Sequence, residues 1–105
     1  MKMKKILIID DDVAVINNLM VFLMQTGLFD IVGVNDSREV AGLLDRETFD
    51  IILLDMDMPN VSGIDILNDI RSKGSDITVV VLTGIGDVDL AVKAMKLGVL
   101  DYLIK

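Results

Sequence analysis

The sequence contains no cysteine and no histidine. Without cysteine the chain can form neither a disulfide nor a thiolate metal site. Without histidine it has no imidazole base, no serine-histidine triad and no histidine-ligated zinc. Any chemistry must therefore use carboxylates, hydroxyls and amines.

Basic residues are also scarce, because 10 Lys and Arg face 17 Asp and Glu for a formal net charge of −7. That balance disfavours binding to nucleic acid or to an anionic membrane surface. The apolar run 6–9 stops at Asp10, so it is too short for an export signal or a membrane span. We therefore expect a cytoplasmic protein that contacts neither nucleic acid nor membrane directly.

A length of 105 residues with 52% hydrophobic content allows one domain with a single core. Apolar runs that predict strands occupy residues 6–9, 31–34, 51–54 and 79–82, with a weaker run at 102–104. Three of these runs do not alternate with polar residues, which is typical of parallel strands buried on both faces.

Amphipathic segments between the runs predict helices at 13–26, 37–47, 62–73 and 87–97, and Gly27, Gly74 and Gly98 each stand where a helix would end. This βα alternation predicts an α/β fold: a doubly wound, flavodoxin-like, five-stranded parallel sheet of order 2-1-3-4-5. Its crevice would open where strands 1 and 3 diverge, at the edge where the strands end, called here the carboxyl edge.

Two of these segments are apolar on more than one side. The first has a core stripe at Ile16, Leu19, Met20 and Leu23, with Val15, Val21 and Phe22 off that stripe. The fourth has Val88, Ala91, Val92 and Met95 at helical spacing, and a further row at Leu90, Ala94 and Leu97. We expect Met20, Met24 and Met95 to fill the core, and the first helix to need a second neighbour.

Polar residues follow four of the five strands, namely Asp10, Asp11 and Asp12, then Asp55, then Thr83 and Gly84, then Lys105. Any single aspartate could simply cap a helix, and we assign that role to Asp12. Three carboxylates in one crevice repel each other, however, and a hard divalent cation such as Mg²⁺ would relieve the repulsion. With a lysine and a hydroxyl nearby, the pattern indicates phosphoryl transfer with Asp55 as the nucleophile.

Four ordered motifs carry a family resemblance: Ile8 to Asp12, Leu53 to Pro59 followed by Gly63, Val81 to Gly84, and Asp101 to Lys105. On these motifs the whole chain resembles the receiver domain of two-component response regulators. The resemblance implies that Asp55 accepts a phosphoryl group from a sensor histidine kinase or a phosphotransfer protein. It implies Mg²⁺ held by Asp10, Asp11, Asp55 and the backbone carbonyl of Asp57.

The resemblance also assigns the residues around the phosphoryl group. Thr83 would bind it, Gly84 would leave room for it, and Lys105 would pair with it. Tyr102 would rotate inward to report phosphorylation through the helix 4 and strand 5 surface to an output domain or partner, although it could equally be a half-buried strand residue. Asp57 and Ile85 would tune the lifetime of the phosphate.

Two alternatives remain open from the sequence. Asp55 and Asp57 look like the aspartate pair of haloacid-dehalogenase-type phosphatases, although that pair belongs on a first strand. A receiver fold that has lost its chemistry is the other alternative, although Asp10, Thr83 and Lys105 are all present. We expect a phosphoacceptor that is not a turnover enzyme.

Receiver chains normally continue beyond this lysine with a proline and a fifth helix. We therefore expect residues 1–105 to be a receiver domain truncated before its fifth helix, with an output domain possible further on. We further expect the uncovered face of helix 1 and strand 5 to cause self-association or loss of stability.

Overall fold

The computed structural model describes residues 3–84 and 88–105, without the side chain of Val88. The strands are β1 (Lys4–Ile9), β2 (Phe29–Val34), β3 (Ile51–Asp55), β4 (Thr78–Thr83) and β5 (Asp101–Ile104). The α-helices are α1 (Val13–Met24), α2 (Val40–Arg46), α3 (Gly63–Ser72) and α4 (Val88–Lys96), and a 3₁₀ helix, η1, spans Ser37–Glu39. Strands and helices thus alternate along the chain as the sequence predicted.

All five strands are parallel and lie in the order β2-β1-β3-β4-β5, which confirms the predicted topology. In the centre of the sheet Ile8 of β1 is in register with Leu53 of β3. The chain leaves β1 and β3 toward opposite sides of this pair, so a crevice opens at the carboxyl edge between them. The fold therefore places the residues that follow β1 and β3 side by side.

The two faces of the sheet are covered unequally. On one face, side chains such as Leu7 and Leu54 pack in a large core with α2, α3 and α4. On the other face, Ile6 and Ile8 pack against Ile16 of α1 in a smaller core. All four residues of β5 are exposed. Both faces thus carry helices, but the edge strand β5 is left largely uncovered.

The helices end within a few residues of the predicted positions. Gly27, Gly74 and Gly98 have φ of 68°, 81° and 75°, the left-handed conformation that ends a helix. The second predicted helix begins as η1, because the Asp36 side chain accepts a hydrogen bond from the backbone N–H of Arg38. The first helix ends at Met24 rather than at residue 26.

The apolar row of α4 at Val88, Ala91, Val92 and Met95 does not face the sheet as a whole, and the side chain of Val88 lies outside the described residues. Ala91 and Ala94 are buried, whereas Val92 is 50% and Met95 47% exposed. The row that faces the sheet consists of Leu90, Ala91, Ala94 and Leu97. The two alanines let α4 lie close to the sheet, so the larger side chains on its other side stay in water. Met24 is 62% exposed as well, so neither it nor Met95 fills the core.

Apolar side chains remain in water on α1 and β5. We call Val21, Phe22, Met24 and Leu103 the α1–β5 surface, and each of the four is about half exposed or more. Phe22, at 67%, lies off the stripe that α1 turns toward the sheet. No helix within the described part of the chain is both long and apolar enough to cross a membrane.

Candidate functional site

The carboxyl edge brings three aspartates together. Asp10 follows β1 and Asp55 ends β3, and both are fully buried, whereas Asp11 is exposed. Each of the three offers a carboxylate oxygen, and these oxygens all lie within 4.8 Å of one another. The cluster follows directly from the topology, because adjacent parallel strands end at the same edge.

Lys105 reaches the same cluster from the end of β5. Its Nζ lies 3.1 Å from Oδ1 of Asp55 and 3.3 Å from Oδ2 of Asp10. Its backbone N–H donates to the carbonyl of Thr83 at 2.8 Å, which ties the end of β5 to the end of β4. One cation thus faces two fully buried carboxylates.

Hydrogen bonds fix both buried carboxylates. Oδ1 of Asp10 accepts from the backbone N–H of Asp12 at 2.9 Å, and Oδ1 of Asp55 accepts from the backbone N–H of Asp57 at 3.1 Å. Oδ2 of Asp55 has no hydrogen-bond partner within residues 3–84 and 88–105. Because a buried polar atom normally has a partner, this oxygen is the atom best placed to bind a cation or a reacting group.

Burial sets the protonation of Asp55. Removal from water raises the pKa of its carboxyl to about 6, against the opposing effects of the Asp57 N–H and the Lys105 ammonium, and the nearby Asp10 charge adds to the rise. Burial also acts to lower the pKa of Lys105, but its contacts with Asp55 and Asp10 outweigh burial and raise it. At neutral pH, Asp55 is therefore mostly ionised and Lys105 charged.

These residues fit a hard divalent cation. The donors are carboxylate oxygens, the ligands that Mg²⁺ and Ca²⁺ prefer, and three of them already lie within 4.8 Å. The three carboxylates carry more negative charge than the Lys105 ammonium neutralises, and Oδ2 of Asp55 accepts no hydrogen bond from the described residues. Asp10, Asp11 and Asp55 are thus the residues that could hold such an ion.

The other residues expected at the site lie around this cluster. Thr83, the last residue of β4, is buried, and Gly84 is half-buried beside it. Asp57 is exposed in the loop after β3, and Tyr102 on β5 is 44% exposed. Ile85 lies outside the described residues. The side chain of Asp12 accepts from the backbone N–H of Ala14 at 2.9 Å, so Asp12 caps α1 as expected.

The loop between β3 and α3 is held close to the site at both ends. Gly63 begins α3 so near the end of β3 that a Cβ there would lie 2.1 Å from the backbone oxygen of Asp55. The Ser62 side chain accepts from the backbone N–H of Asp65 at 3.2 Å and caps α3. The glycine is therefore required by close approach of the backbone rather than by a turn.

Ser37 also belongs to this region, although the sequence pattern did not indicate it. Its hydroxyl is buried and contacts the middle of the loop between β3 and α3. In the sequence Ser37 lies in the polar segment 36–39, which looks like an ordinary helix start. The local sequence pattern gives no indication that Ser37 contacts a loop more than 20 residues away.

Comparison with known proteins places the chain in one family. The family model for the response regulator receiver domain matches residues 6–105. The transcriptional regulatory protein FixJ of Azorhizobium caulinodans is 40% identical over 101 residues, covering 93% of this chain and 46% of that protein. The chain spans less than half of the length of the first curated relatives it matches.

Solved structures show the same fold. The crystal structure of FixJ-N superposes with a TM-score of 0.89 at 28% identity, covering all of this chain and 83% of that one. A response regulator from Burkholderia pseudomallei, solved with a phosphorylated aspartic acid, calcium ion and citrate, has a TM-score of 0.84 at 29% identity. It is matched over 97% of this chain and 59% of that one. The chain therefore belongs to the response regulator receiver domain family.

Proposed function

We propose that the chain accepts a phosphoryl group on Asp55 from a phosphohistidine of a sensor histidine kinase or phosphotransfer protein, in a Mg²⁺-dependent reaction in the cytoplasm. The observation that carries this proposal is the state of the Asp55 carboxylate. It is fully buried beside Lys105, and one of its oxygens has no partner among the described residues. That oxygen is available for bond formation while the other is held.

The proposed cation ligands are Asp10, Asp11, Asp55 and the backbone carbonyl of Asp57. When bound, Mg²⁺ supplies positive charge that offsets the charge on the phosphoryl oxygens. The relative from Burkholderia pseudomallei supports this proposal, because it was solved with both a phosphorylated aspartic acid and a calcium ion. The net charge of −7 disfavours direct binding of this segment to nucleic acid.

In the proposed step an oxygen of ionised Asp55 attacks phosphorus, the P–O bond forms, and the P–N bond to the donor imidazole breaks. The imidazole nitrogen that leaves takes up a proton. Lys105 holds Asp55 in place and then pairs with the transferred group, and the Thr83 hydroxyl binds one of its oxygens. Gly84, without a side chain, leaves room for that oxygen.

The product is an acyl phosphate, and water would return it to the carboxylate. Asp57 and Ile85 would tune its lifetime through charge and access. The chain then acts as a phosphoacceptor that assists its own phosphorylation and dephosphorylation, rather than as a turnover enzyme. The phosphatase alternative is disfavoured, because Asp55 ends the third strand and Asp57 follows it, whereas that family's aspartate pair belongs on a first strand.

Phosphorylation would be read out at α4 and β5. The Lys105 N–H bond to the Thr83 carbonyl already couples the end of β5 to β4, so a shift at Thr83 reaches β5 directly. Tyr102, 44% exposed on β5, is placed to change its exposure when that strand end moves. A changed surface there would control an output domain or a partner.

The proposed function is tested by incubating the chain with Mg²⁺ and acetyl phosphate, or with a phosphorylated histidine kinase, and measuring intact mass. We expect one added phosphoryl group in wild type and none in Asp55→Asn. Asp50→Asn, an exposed carboxylate elsewhere, is the matched control and should be labelled like wild type. Labelling that persists in Asp55→Asn would show that another residue is the acceptor.

We also propose that this chain self-associates through the α1–β5 surface, or is destabilised by it. Val21, Phe22 and Met24 are each more than half exposed on α1, and exposed apolar patches are typical of association surfaces. Sedimentation at rising concentration should show dimers in wild type and fewer in Phe22→Ser. Val92→Ser, an exposed apolar position on α4 across the sheet, is the control. A wild-type chain that stays monomeric, with stability equal to Phe22→Ser, would refute the proposal.

A further inference from the structure

One buried hydroxyl links two distant segments of the chain next to the proposed cation site. Ser37, the first residue of η1, is only 6% exposed. Its Oγ donates to the carbonyl of Pro59 at 2.9 Å and accepts from the backbone N–H of Val61 at 3.1 Å. A single side chain thus satisfies two backbone groups on either side of Asn60.

The turn that Ser37 holds is conformationally demanding. Asn60 has φ of 70°, the left-handed region that side-chain-bearing residues occupy infrequently. Pro59 has no N–H and cannot contribute a backbone donor of its own. The two hydrogen bonds from Ser37 bracket this residue and compensate for the strain of its conformation.

Hydrogen bonds among the described residues also hold the two ends of this loop, and Met58 and Val61 pack against the large core. At its start the Asp57 N–H donates to Oδ1 of Asp55, and at its end the Gly63 N–H donates to the carbonyl of Met56. Between these points, Ser37 supplies the hydrogen bonds that reach the loop from another part of the described chain. Ser37 therefore holds the peptide groups two to four residues after Asp57.

We propose that Ser37 is a positioning residue of the cation site: its hydroxyl fixes the turn at residues 59–61, and thereby the backbone carbonyl of Asp57. This inference rests on the proposed function, in which that carbonyl is a Mg²⁺ ligand. Ser37 itself lies outside the ligand set. Groups that orient a ligand without touching the metal commonly contribute strongly to metal affinity.

The test is a titration with MgCl₂, followed by amide NMR, of wild type, Ser37→Ala and Ser62→Ala. We expect the dissociation constant to rise about tenfold in Ser37→Ala, the lower end for loss of a group that orients a ligand. Ser62→Ala is the matched control, since it removes a serine hydroxyl from the same loop but only uncaps α3. Its Mg²⁺ affinity should stay at the wild-type value, although both variants should lose stability to urea.

A merely structural role predicts a different pattern, namely lower stability in Ser37→Ala with unchanged Mg²⁺ affinity, and that result would overturn the proposal. If Ser37→Ala does not fold, Ser37→Cys decides the question, because it keeps the size of the side chain and replaces the hydroxyl by a weak donor. Wild-type affinity in a folded Ser37→Cys would likewise overturn it. Absence of Mg²⁺ binding in wild type would overturn the proposed function itself, which distinguishes the two failures.

Discussion

At the carboxyl edge of the sheet two carboxylates are fully buried, whereas at the opposite edge, where the strands begin, the carboxylates stay in water. We call this opposite side the amino edge. It contains a cavity of about 540 Å³ between α2 and α3, with buried Phe49 and Ile70 in its wall and exposed Asp45 and Asp76 around it. Both edges are acidic, and the amino edge contains this cavity as well.

The cost of burying charge, rather than the presence of a cavity, is the reason for placing the proposed site at the carboxyl edge. Exposed acids such as Asp45 and Asp76 are solvated, so their presence needs no further explanation. Buried Asp10 and Asp55 lose their hydration, and a fold keeps such a cluster only if something compensates. Lys105 compensates in part, and the proposed cation would compensate for the remainder.

The largest expected effect that separates the two edges is on Mg²⁺ binding. Asp11→Ala removes one oxygen donor from the cluster and should weaken Mg²⁺ binding by about a hundredfold, the upper end of losses seen around metal sites. Asp76→Ala removes an equally exposed carboxylate at the amino edge and should leave the affinity unchanged. Amide NMR shifts during a MgCl₂ titration measure both constants. Equal affinities in the two variants would mean that the ion binds elsewhere.

The fold was predictable from local patterns. Runs without alternation, such as 51–54, indicated buried parallel strands, and glycines with positive φ mark helix ends as expected. Because parallel strands end at the same edge, the sequence predicts that Asp10, Asp55 and Lys105 lie together, and Lys105 contacts both carboxylates. The positions of these residues in the sequence were sufficient for this prediction, because each one ends a strand or directly follows one.

Features that depend on packing across the fold were not predictable. The helix α4 is apolar on two sides, and only contact with the sheet decides that Ala91 and Ala94 face inward while Val92 does not. The link from Ser37 to Pro59 and Val61 joins residues more than 20 positions apart, and a serine after Asp36 carries no local sign of it. Tertiary contacts determine which side of α4 faces inward and where Ser37 binds, and the periodicity of the sequence does not reveal them.

The second largest expected difference between the two edges is in the pH dependence of stability. The pKa of Asp55 is raised to about 6 in the folded chain, so between about pH 4 and 6 the folded state binds more protons than the unfolded state. Its contribution to the free energy of unfolding is therefore present at low pH and lost as pH rises through 6. In EDTA, the free energy of unfolding of Asp55→Asn should rise by about 1–3 kcal/mol relative to that of wild type as pH increases from 4 to 7.

Asp45→Asn, at the amino edge, is the control for loss of one negative charge, and its difference from wild type should change much less over the same range. Urea unfolding at each pH measures all three chains. A parallel pH profile for Asp55→Asn and wild type would show that Asp55 titrates alike in the folded and unfolded states. The comparison between buried and solvated carboxylates would then fail.

The smallest effects should come from the two lysines that pair with carboxylates at the two edges. Nζ of Lys73 lies 3.2 Å from Oδ2 of Asp69, one helical turn away, and both side chains are more than half exposed. Lys73→Ala should therefore lower the free energy of unfolding by at most about 0.5 kcal/mol. Lys105→Ala leaves Asp10 and Asp55 buried without their cation, and should cost about 1–2 kcal/mol at pH 8 in EDTA.

Two features of this last comparison separate burial from simple charge pairing. The cost of Lys105→Ala has an upper limit, because Asp55 can take up a proton in place of its lost partner. The Lys105 ammonium lowers the pKa of Asp55, so without it that pKa rises above the wild-type value of about 6, and the cost should shrink as pH falls from 8 toward 6. The cost of Lys73→Ala should instead disappear in 1 M salt, where an exposed pair is screened. Urea unfolding across pH and salt measures both dependences. Equal costs for the two variants, with equal sensitivity to salt, would mean that the carboxyl edge is as hydrated as the amino edge, and that burial does not set the chemistry of Asp55.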